Sequence, residues 1–236
     1  MSRVPMMKTA VCALAIAIAC ASAVPAGAQS SYSSSGGPTT ELTIFNGYYI
    51  ASDLYSSTGD LAGATIGLEN SYMWGAKLGV NPNDRVGIEF AYTRAGSNLS
   101  YRNDYAPVEP ETDLGRLNLN SYDLNFLFYQ PSFNARATGF FTLGFGWTVT
   151  SPDINPEIGK TIESNSLFNW NFGIGTKVVI NEKLDLRLEG RWRVTDTAIT
   201  TSAGVYCDYW GYCYSYSSDW YDSGELTAGL TYKISR

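Results

Sequence analysis

The strongest constraint on this chain is a period of two. From Phe172 to Thr195 it reads FGIGTKVVINEKLDLRLEGRWRVT. In the second arm Leu184, Leu186, Leu188, Gly190, Trp192 and Val194 alternate with Asp185, Arg187, Glu189, Arg191 and Arg193. Successive strand side chains point to opposite faces, so one face is apolar and the other is a ladder of charge. The preceding arm does the same: Phe168, Trp170, Phe172, Ile174, Val178 and Ile180 share a face opposite Asn169, Asn171, Gly173, Gly175 and Lys177. Asn181-Glu182 is the short polar turn between them. A soluble sheet would turn its polar face to water. Here the apolar face carries large aromatics over about ten residues, the length a tilted strand needs to cross a bilayer. The opposite face mixes signs of charge with glycines, which suits a crowded interior where charges pair.

The pattern recurs. Strands are expected at about 41–51, 65–80, 85–95, 117–130, 135–149 and 223–235, and the hairpin makes eight in all. Tight turns are expected at Asn81-Pro82-Asn83-Asp84 and Pro131-Ser132-Phe133-Asn134, and long loops at 52–63, 96–116, 150–163 and 198–222. Leu117 and Leu119 are out of phase with the outward set Tyr122, Leu124, Phe126 and Phe128, which implies a bulge near Asn120-Ser121. The fold class is therefore an all-β, eight-stranded antiparallel transmembrane barrel with alternating short and long connections. Closure removes the sheet edges that lipid would leave unpaired.

Residues 1–28 read as a signal peptide: Arg3 and Lys8, an apolar run from Val11 to Ala23, and Ala26-Gly27-Ala28 as the cleavage site. Cys20 offers a rival lipidation site. Residues 29–38, rich in Ser and Gly, read as a disordered periplasmic lead-in, and 39–236 as the barrel. The whole chain carries 16 basic and 22 acidic residues. Such an acidic balance argues against nucleic acid as a partner. Strand phase places Lys77, Arg85, Arg136, Lys177, Arg187, Arg191, Arg193 and Lys233 in the interior, with Glu89, Asp123, Asp185, Glu189 and Glu225. The expected interior is net positive.

Cys207 and Cys213 remain after the expected cleavage, and export to an oxidising space makes a disulfide between them the expectation. They lie in a loop dense in aromatics. Tyr206, Tyr209, Trp210, Tyr212, Tyr214, Trp220 and Tyr221 are candidate outward contacts for a macromolecule or glycan. The rival reading is a hairpin that packs on itself.

The sequence resembles the small eight-stranded outer-membrane β-barrel family of the OmpA/OmpX and opacity-protein type. The likeness rests on Phe172-Gly173-Ile174-Gly175, Asn181-Glu182-Lys183-Leu184, Leu186-Arg187-Leu188-Glu189-Gly190-Arg191 and Gly229-Leu230-Thr231-Tyr232-Lys233-Ile234. It implies a bacterial outer-membrane location among lipid and lipopolysaccharide, and insertion by the barrel assembly machinery. The last strand departs from the family pattern by ending Ile234-Ser235-Arg236 rather than on an aromatic.

Enzymatic barrels resembling this family use histidine, the side chain suited to proton transfer near neutrality. This chain has none. The interior carboxylates are better read as partners of the interior cations. No cofactor or metal is expected, although the acidic stretch Asp104–Asp113 could hold a divalent cation. The expected function is a structural or surface-interaction barrel with a plugged lumen. The alternatives are a narrow porin-like channel and, behind it, a barrel enzyme.

Overall fold

The computed structural model describes residues 38–51, 53–56, 64–103, 112–130, 136–154, 164–196, 205–207, 213–215 and 220–235. The expected signal peptide, nearly all of the lead-in, the acidic stretch 104–111 and the Tyr209, Trp210 and Tyr212 positions lie outside them.

The described strands are β1 (Thr39–Ile50), β2 (Asp53–Ser56), β3 (Ala64–Leu68), β4 (Ser71–Asn81), β5 (Val86–Asn103), β6 (Thr112–Tyr129), β7 (Ala137–Ile154), β8 (Asn165–Val179), β9 (Leu184–Asp196), β10 (Val205–Cys207), β11 (Cys213–Ser215) and β12 (Trp220–Ser235). Eight of them close a ring in the order β1-β4-β5-β6-β7-β8-β9-β12 and back to β1, every pairing antiparallel. Tight turns at 82–85 and 180–183 mark one end of the ring. At the other end the β5–β6 hairpin climbs higher, and the short β2–β3 hairpin packs onto β5 there.

The alternation sorts the two faces. Ile44, Leu78, Phe90, Phe126, Phe145, Trp170, Trp192 and Leu230 point outward and are exposed. Glu89, Asp123, Arg187, Glu189, Arg191, Arg193 and Glu225 point inward and are buried. A water-soluble protein sorts these classes the other way, so the outer surface is built for lipid. Outward aromatics meet across strands: Tyr92 lies 5.3 Å from Tyr122 and 6.1 Å from Trp74, and Phe172 stacks on Trp192 at 6.3 Å. Such pairs add to strand cohesion where the solvent is hydrocarbon.

Several expectations about the wall change. The stretch 96–116 is mostly strand: β5 runs on to Asn103 and β6 begins at Thr112. The β5–β6 register passes Asn120 and Ser121 without a shift, and Leu119 points inward, 3% exposed. The irregularity lies higher, where Leu99 and Ser100 face Gly115 and Asp113, and Gly115 adopts φ 123°. A positive φ there suits glycine and places the extra residue of the bulge.

Candidate functional site: the barrel interior

From the turn end upward the interior is a stack of ion pairs. Lys233 meets Asp185 at 2.8 Å. Lys177 pairs with Glu41 and donates to the Tyr129 hydroxyl at 2.8 Å, and that hydroxyl donates to Asn81 Oδ1 at 3.1 Å. The middle layer centres on Glu189. Its carboxylate accepts from Lys77 Nζ at 2.5 Å, Arg187 Nη2 at 2.8 Å and Arg191 Nη2 at 2.7 Å. Arg187 also pairs with Glu89, and its guanidinium lies 4.6 Å over the Phe140 ring. Above, Arg193 grips Asp123 with both Nη atoms at 2.8 Å, while its Nε donates to Glu225 at 2.7 Å and its Nη1 to Asn169 at 2.9 Å. Two parallel N–H donors on one carboxylate make a strong and directional pair. Arg191 bridges the layers, 3.5 Å from Asp123.

Over these charges lies an apolar cluster of Phe45, Tyr49, Ala51, Leu68, Met73, Ala95, Leu99 and Leu119. Phe45 fits because Gly75 and Gly229 flank it on the neighbouring strands. A Cβ on Gly75 would come within 2.6 Å of the Phe45 ring, and one on Gly229 within 2.7 Å of its Cβ. The junction of charge and cluster encloses a cavity of only about 10 Å³, lined by Tyr49, Arg193, Tyr221 and Glu225 among others. That is room for one water at most.

Several expected placements are corrected. Arg85 and Arg136 are not interior residues: each is exposed in a turn, just before the first residue of β5 and β7 respectively. Strand phase points them inward, but they stand beyond the end of the ladder, where water is cheaper for a guanidinium than an unpaired burial. Glu41, absent from the expected set although its phase is inward, is buried against Lys177. The described interior is therefore not net positive. Among the described residues Lys77, Lys177, Arg187, Arg191, Arg193 and Lys233 face Glu41, Glu89, Asp123, Asp185, Glu189 and Glu225, six against six. Tyr221 is no surface contact: it is 4% exposed and points inward beside Tyr49. Trp220 belongs to the wall, opposite Asp196 in the β9–β12 register and on the outward face, because β12 begins three residues before the expected Ser223. Tyr206 and Tyr214 are cross-strand neighbours in the β10–β11 hairpin, and Cys207 stands opposite Cys213. None of the described residues form a group of metal-ligating side chains.

The family described as an outer membrane protein beta-barrel domain matches residues 14–233. No curated protein matches the sequence. Among solved structures the chain is similar to Neisserial surface protein A, with 16% identity and a TM-score of 0.51, covering 84% of this chain and 99% of that one. It is also similar to OprG from Pseudomonas aeruginosa, with 10% identity and a TM-score of 0.57, covering 85% and 99%. AlkL matches with 10% identity and a TM-score of 0.51, covering 85% and 92%. At these identities the likeness is one of fold.

Proposed function

The chain belongs to the outer membrane β-barrel domain family and resides in the bacterial outer membrane, and from that premise we propose that it acts through what it presents outward rather than by conducting through its lumen. One observation carries this reading: among the described residues the interior holds equal numbers of opposite charges, paired in contact, with an apolar cluster above them. An eight-stranded ring is just wide enough for side chains to fill. Ions crossing it would have to displace buried, mutually compensated charges, which costs several kcal/mol per broken pair. A conducting pore instead needs sites that bind and release. Reconstituted into planar bilayers, the protein is expected to show no single-channel steps above the lipid baseline. Regular, ion-selective steps would restore the narrow-channel reading. Catalysis has no support here, since a chain without histidine lacks the usual proton-transfer group of barrel enzymes.

The outward role falls to the loops, which a rigid scaffold presents. The loop residues Tyr206, Tyr209, Trp210, Tyr212 and Tyr214 form the proposed contact surface for a macromolecule or glycan, on the strength of their composition. Replacing Tyr209, Trp210 and Tyr212 together by Ser is expected to abolish adhesion of cells displaying the barrel to extracellular matrix while the barrel still inserts. Undiminished adhesion would remove the loop from consideration.

A further inference from the structure

On the outer wall, at the end away from the tight turns, the apolar band stops abruptly on β5 and β6. Ile88, Phe90 and Tyr92 give way to Arg94, Gly96 and Asn98; Leu124 and Tyr122 give way to Asn120, Asn118 and Arg116. All share the outward face. Between them lies an open cleft of about 480 Å³, lined by Tyr72, Trp74, Arg94, Gly96, Asn98, Arg116 and Asn118 among others. Trp74, Tyr92 and Tyr122 form a connected aromatic group at its lower edge, which is how barrels mark the membrane–water boundary.

The two arginines are arranged rather than scattered. The Arg116 guanidinium lies across Gly96: a Cβ there would meet its Nη2 at 2.6 Å, Nε at 2.9 Å and Cζ at 3.1 Å. Glycine thus makes a shelf that holds Arg116 on the Arg94 side of its strand. Among the described residues, the nearby carboxylates are turned to other partners or strands. Glu69 accepts from Asn98 Nδ2 at 2.9 Å, and Asp153 stands opposite Arg116 on the β7 side, away from the shelf. Neither arginine makes an ion pair with a described residue. This contrasts with the lumen, where each of the six described cations faces a carboxylate.

We propose that Arg94 and Arg116, on the Gly96 shelf, bind the phosphate of a phosphorylated glycolipid in the leaflet around the loop end of the barrel. Height, charge and shape agree. The cleft sits at headgroup level, directly over a lipid-facing wall that would take the acyl chains. Guanidinium matches phosphate bidentately, and basic wall pockets of this kind suit lipid head groups. The Asn98 and Asn118 amides border the same cleft and offer donors and acceptors for a sugar hydroxyl. The proposal holds whether or not the lumen conducts.

Native mass spectrometry of the detergent-solubilised protein tests it, with diphosphorylated lipid A, fully dephosphorylated lipid A and inorganic phosphate as three separate probes. Wild type is expected to retain one diphosphorylated lipid A and to release the dephosphorylated form. Replacing Arg94→Gln and Arg116→Gln together should weaken retention about tenfold or more, the loss of at least one charge-assisted contact. Gly96→Val changes no charge but occupies the shelf, so it should weaken retention as well and provides a second route should the double variant not fold. Arg85→Gln with Arg136→Gln removes the same charge at the opposite end and should leave retention unchanged. Equal retention by wild type and both cleft variants, equal retention of the dephosphorylated lipid, or an equal loss in the Arg85/Arg136 variant would overturn the proposal. Inorganic phosphate bound as tightly as the lipid would overturn the lipid assignment in favour of a simple anion site.

Discussion

Glu189 is the residue on which the middle of the barrel turns. It is 1% exposed along its side chain and accepts from Lys77, Arg187 and Arg191 together. Glu189→Ala would leave three cations sharing the remaining carboxylates, so it is expected to destabilise the barrel by roughly 3–5 kcal/mol. Lys233→Ala removes a cation that is itself 14% exposed from the single buried carboxylate of Asp185, and is expected to cost less than Glu189→Ala because one ion pair near the end of the ladder is lost rather than three in the middle. Urea midpoints of the two variants in lipid vesicles give the comparison; equal shifts would mean that water screens the middle layer as well as the rim. At this scale the face of most membrane-strand side chains was legible in the sequence, because phase along a strand fixes it; Leu119, buried inside the barrel, was the exception. Depth was not legible. Arg85 and Arg136 share the inward phase but sit past the ladder's end, while Glu41 lies within it.

At the scale of elements, existence was readable and extent was not. The eight wall strands follow from alternation, yet polar stretches such as Gly96–Asn103 look like loop because above the membrane both faces of a strand can be polar. What makes them strand is the partner they find: Ser97 faces Leu117, and Asn98 faces Arg116. The same lesson holds for Leu119, whose phase suggested a bulge until the apolar cluster showed that the interior changes from charged to greasy at that height. The β10–β11 hairpin carries its own test. Cys207 and Cys213 are directly opposed, and cross-strand Cα atoms about 4.5–5.5 Å apart fall within the range a disulfide spans. We propose that they are bonded in the exported protein. Maleimide labelling under denaturing, non-reducing conditions should then find neither thiol free, and reduction should release two; free thiols before reduction would contradict the bond.

For the molecule as a whole, closure is the decisive step. Each strand alone shows one apolar and one polar face, which specifies a sheet between lipid and something wetter. Period two, the aromatic content of one face and the missing histidines were local properties, so the sequence by itself determined the fold class, the apolar and polar face of each membrane strand and the absence of histidine chemistry from this chain. Which charges meet depends on residues far apart in the chain: Arg193 with Asp123, Lys77 with Glu189, Lys177 with Glu41. Those pairings need the stagger of the closed ring, a quantity that no single strand encodes. Only the tertiary structure decided that the described interior charges balance and pair, and that Arg94 and Arg116 share one cleft. Periodicity reports a direction relative to a strand, whereas neutrality and a shared site are sums over the whole ring, formed when the last strand meets the first.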